Sequence, residues 1–191
     1  MRRVMVGLWL CVAVLAAGPG STLLAAQTAA PAGGPPRAEV KAVERLCDKA
    51  IENYGIDTID QITLTHALYI EGYGVLISFE VNLSPVSPLV GLTGGLSKAQ
   101  KERIRDNKLK RLPQFRQFLE GLLLEAVKPL EHLAPEERLL VNVVLDYSPY
   151  ENSEGLPESI SITAKKKDLL EAAERKTPPE QLSGILKVKV E

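Results

Sequence analysis

The chain reads as a single α+β domain: an antiparallel sheet of four to five strands with helices packed on one face, in the order α-β-β-α-β-β-α-β. Two patterns predict it. Apolar residues recur at three- and four-residue steps in residues 38–54 and 115–130, as on the core-facing stripe of a helix. They alternate with period two on both sides of Glu71-Gly72-Tyr73-Gly74, as in a hairpin.

Taken in order, residues 1–26 (MRRVMVGLWLCVAVLAAGPGSTLLAA) have the layout of a cleavable signal peptide. Arg2 and Arg3 precede the 14 charge-free residues Val4–Ala17, and Gly18-Pro19-Gly20 then breaks any helix. Fourteen residues are too few to span a bilayer, which needs roughly 20. Cleavage after Ala26 leaves 21 basic against 24 acidic residues, a charge of −3. Nothing in that balance calls for nucleic acid. The expectation is an exported protein, periplasmic or secreted. Cys47 is then the one remaining cysteine, so no internal disulfide forms and cohesion rests on packing. Its place on the apolar stripe of the first helix marks it as a buried, inert thiol.

Residues 27–37 (QTAAPAGGPPR) form a Pro/Gly/Ala linker with nothing to bury, expected to be disordered. The domain proper is 38–191. Its first helix carries Val43, Leu46, Cys47, Ala50, Ile51 and Tyr54 on one face and ends at Gly55. In the first strand Ile62, Leu64, His66, Leu68 and Ile70 share one parity, which the apolar count assigns to the core. The loop 84–96 is long and apolar. Ser97-x-x-Gln100 is a capping box opening a long helix, which Pro113 must kink or divide. Residues 139–147 are apolar on both parities apart from Asn142 and Asp146, as in a central strand. Strand 158–164, helix 166–175 and a lysine-bearing edge strand in SGILKVKVE complete the chain.

The stretches LCDKAIENYG, YIEGYGVLISFEVNL, RDNKLKRLPQF and LAPEERLLVNVVLDY together resemble a group of uncharacterised bacterial exported proteins. The resemblance implies a bacterial envelope setting and transfers no activity or site.

Catalytic residue types are scarce. His66 is expected in the core, hydrogen-bonded, unless a bulge turns it outward; as a general base it would need Glu71 or Glu80, and Glu80 falls on the opposite parity. His132 stands near Glu131, Glu136 and Glu137, but Pro135 interrupts helical metal-ligand spacing and HExxH is absent. Neither a P-loop nor GxSxG occurs, and no cofactor is implied. Eight cations in nineteen residues, Lys98–Arg116, stand out in an acidic protein. Among them Lys101, Arg105, Lys108, Lys110 and Arg111 are the candidate contacts for an anionic partner, the alternative being a solvated helix. No aromatics interleave the cations before Phe115, which disfavours nucleic acid. The expected function is a non-catalytic domain that binds a protein partner or an anionic membrane surface; the alternative is a periplasmic hydrolase using carboxylates (Glu71, Glu80, Asp146) and His66.

Overall fold

A computed structural model describes residues 33–55, 59–85, 89, 95–177 and 179–191. The expected leader, linker residues 27–32 and much of the apolar loop lie outside the described residues. Among the rest, Pro35 is buried and the first helix, α1, begins at Arg37 and runs to Tyr54. Val43, Cys47 and Ile51, spaced by four, are its buried stripe. Gly55, at φ 128°, follows its end.

The hairpin forms as expected from β1 (Asp60–Ile70) and β2 (Gly74–Asn82). Helix α2 (Lys98–Ala126) then runs unbroken, opened by the capping box between Ser97 and Gln100. Pro113 lies inside it on the exposed side, where water can take the carbonyl that loses its N–H partner. Strands β3 (Arg138–Leu145) and β4 (Ser159–Lys165), helix α3 (Lys166–Glu174), a 3₁₀ turn (Pro179–Gly184) and strand β5 (Lys187–Val190) follow.

The five strands lie in sequence order, β1-β2-β3-β4-β5. The α+β class and the element order agree with expectation; the sheet, however, is mixed. β2 and β3 are parallel, and every other pair is antiparallel. The cause is the connection: α2 carries the chain back along the sheet, so β3 restarts at the same end as β2. Parallel pairing brings Gly74 against Arg138. A Cβ at Gly74 would stand 1.9 Å from the Arg138 carbonyl oxygen, and φ is 130°, so glycine is required there.

The core lies between the sheet and the helix layer. Val75, Ile77, Phe79 and Val81 of β2, Leu139, Val141, Val143 and Leu145 of β3, and Ile160 and Ile162 of β4 meet Phe115, Leu119, Leu122 and Leu123 of α2. Phe115 and Phe118 also pack on Tyr54 at the α1 junction, with ring centroids 6.1 and 4.5 Å away. Each fully buried Leu, Ile or Phe contributes about 1.5–3 kcal/mol.

Candidate functional site: the uncovered face of the sheet

Among the described residues the other face of the sheet carries no helix. On β1 this reverses the expected orientation. Leu64 is 70% exposed, Leu68 60%, Ile62 46% and Ile70 41%, and His66 is exposed among them. Thr65 is buried, with Ala67 and Tyr69 partly so. His66 is therefore not a core histidine.

Helix α1 explains the reversal. It lies along the free edge of β1 and supplies two carboxylates one turn apart. Asp48 accepts the Thr65 backbone N–H at 2.8 Å and the Gln61 side-chain amide at 2.9 Å; Glu44 accepts the Ala67 N–H at 3.0 Å. These donors belong to the edge that would otherwise recruit another strand. The small side chains of Thr65 and Ala67 let the helix approach. Register shifts between Gln61 and His66 add the turning that period-two reading ignores. Burial pushes both carboxyls up, but the hydrogen bonds to Asp48 from Thr65 and Gln61, and to Glu44 from Lys41 and Ala67, hold them below the usual range.

Strand register orders the uncovered face into rows. Leu68, Leu76, Leu140, Thr163 and Lys187 stand side by side across all five strands. The next row is His66, Ser78, Asn142, Ser161 and Lys189. There the Ser161 hydroxyl donates to Asn142 Oδ1 at 2.7 Å. The face thus grades from apolar at β1 to polar in the middle to basic at β5. Val144, 42% exposed, belongs to it, so β3 is central in the sheet but covered on one side only. Glu80 also stands on this face, opposite Val144 and two residues beyond the partner of His66, which corrects the opposite-parity expectation. No hydrogen bond joins it to His66 among the described residues. Glu71 is exposed in the β1–β2 turn and is not gathered with either.

The candidate basic contacts are dispersed. Lys108 is enclosed: its ammonium lies 2.8 Å from Glu151 with the two side chains 1% and 0% exposed, and 4.6 Å above the Tyr147 ring centroid. Glu151 Oε1 also accepts the Ser148 N–H, while its Oε2 is buried without a partner. Burial pulls the Lys108 ammonium down, against the opposing pull of Glu151 and Asp146. Arg105 donates to the Glu154 carbonyl at 2.6 Å and Arg111 to the Leu83 carbonyl at 2.6 Å. Three of the five cations therefore fasten the 146–158 loop and the end of β2 to α2. Lys110 is exposed and Lys101 partly so. Asp146 accepts from Asn82 at 3.5 Å.

His132 is paired with Glu39 of α1 through its ring, and its backbone N–H donates to the same carboxylate at 3.1 Å. Glu136 lies instead between Lys165 and Lys167, 2.7 Å from each. Among the described residues no group of His, Cys, Asp and Glu could hold a metal ion, and no helix is long and apolar enough to cross a membrane. Cys47 is buried, and burial, helped by Asp48, pushes its thiol up to about 12.

No family model matches the chain, and neither the curated proteins nor the solved structures yield a match. The site therefore rests on geometry. Counting apolar residues by parity missed the uncovered face. The available signal was Glu44 and Asp48, acids spaced by four beside the apolar stripe of α1, which mark where that helix meets backbone donors.

Proposed function

We propose that the protein is an exported, non-catalytic domain that binds a protein partner through the uncovered face of its sheet. The observation that carries this reading is the exposure of Leu64 and Leu68 at 70% and 60% on a face where Leu76 and Leu140 continue the row. Contiguous apolar surface of this kind marks interaction sites. Each leucine that a partner buries fully supplies about 1.5–3 kcal/mol. The middle row favours protein over lipid: beyond the Ser161–Asn142 bond, Ser78, Asn142 and Ser161 keep polar groups that a protein surface can hydrogen-bond and hydrocarbon cannot. The hydrolase alternative has no comparable support, because among the described residues no hydrogen bond joins His66, Glu71 and Glu80.

The test is photo-crosslinking in the producing cell from position 68, compared with position 116 on the outer side of α2. The expected result is a discrete protein adduct from position 68 alone, lost when Leu64→Asp is added to a chain that still folds. Equal adducts from both positions, or adducts unaffected by Leu64→Asp, would overturn the proposal. So would crosslinking to lipid alone.

A further inference from the structure

The basic corner of the same face has features that apolar docking does not explain. Pairing of β3 with β4 sets Arg138 beside Lys165, and pairing of β4 with β5 sets Thr163 beside Lys187. The four side chains share the open face and, with Asp168 and Ile185, line a cavity of about 250 Å³. Arg138 and Lys187 form no ion pair among the described residues. Lys165 shares Glu136 with Lys167. The four cations Arg138, Lys165, Lys167 and Lys187 face the two carboxylates Glu136 and Asp168, leaving two uncompensated positive charges. Lysines on an edge strand are a common guard against aggregation, which accounts for Lys187. That reason does not reach Arg138, which stands on the central strand.

We infer that this corner is a binding site for a doubly charged tetrahedral oxyanion, a phosphate monoester, gripped by the Arg138 guanidinium and neutralised by Lys165 and Lys187. A guanidinium fork binds two oxygens of such a group at once, and a phosphate monoester carries close to two negative charges at neutral pH. The site stands independently of the protein-partner reading. It lies at the β5 end of the row Leu68-Leu76-Leu140.

The test titrates the full chain with inorganic phosphate at constant ionic strength, following backbone amide NMR shifts, with acetate and chloride as parallel arms. Phosphate is expected to shift the amides of Thr163, Lys165 and Lys187 saturably. Arg138→Gln, checked for an unchanged spectrum elsewhere, is expected to weaken binding about tenfold, the loss typical of one charge-assisted contact. Lys187→Gln, at the exposed edge, gives a second variant with minimal folding risk and the same expected direction. Shifts no larger than those from chloride, or unchanged affinity in both variants, would overturn the site. Acetate binding as tightly as phosphate would overturn the assignment to a dianion.

Discussion

Replacing Lys108 by methionine removes a cation from a place that water does not reach. Methionine fills most of the same space, so the change isolates the charge. Glu151 then keeps the Ser148 N–H on one oxygen and nothing on the other. Removing one member of a buried pair costs about 3–5 kcal/mol, because an uncompensated charge stays behind. Total stability for a domain of this kind is about 5–15 kcal/mol. With a urea slope of about 2 kcal/mol per M, the midpoint should fall by about 1.5–2.5 M. Adding Glu151→Leu removes the stranded carboxylate and should return most of the loss. The assay is equilibrium urea unfolding of wild type, both single variants and the double variant. A Lys108→Met loss below about 1 kcal/mol would refute the buried pair and return Lys108 to the solvent-facing cations. So would a double variant as unstable as the two single losses combined.

Three further outcomes follow from the same geometry. Leu68→Glu should change stability by no more than about 0.5 kcal/mol, whereas Leu119→Ala should cost about 2–5 kcal/mol, and urea unfolding of the two variants decides between an open and a packed face. The folded-state carboxyl of Asp48 lies below its unfolded value near 3.9, so its contribution is complete above about pH 4 and is lost as pH falls through the folded pKa; thermal melts from pH 2 to 7 should show a shallower acid decline in Asp48→Asn, and parallel curves would count against the edge-capping role. Cys47, fully buried with its thiol near 12, should resist iodoacetamide at pH 8 and react only in denaturant, while rapid native labelling would place it at the surface.

Local signals carried the fold well. The stripe Val43-Cys47-Ile51, the capping box at Ser97 and the alternation in 75–83 each depend on neighbours a few residues away, and each formed where expected. The parallel β2–β3 pair was not legible, because it is decided by where α2 delivers the chain. The orientation of β1 failed for a related reason. Apolar count is a guide to the buried face only when one face must be covered by the chain itself. Here Glu44 and Asp48 reach the β1 edge from α1, and small side chains at 65 and 67 admit the helix. The basic run showed the limit of charge counting: Lys108, Arg105 and Arg111 have partners at residues 151, 154 and 83, separations that a linear reading does not join.

The central claim is that one face of the sheet is open in the free protein. Solvent paramagnetic relaxation of methyl groups in the purified full chain tests it most directly. The account predicts strong relaxation at Leu64 and Leu68, intermediate relaxation at Leu76 and Leu140, and protection at Ile77 and Leu119. Protection of Leu64 and Leu68 equal to that of Ile77 would contradict it, because the chain would then be covering the face itself.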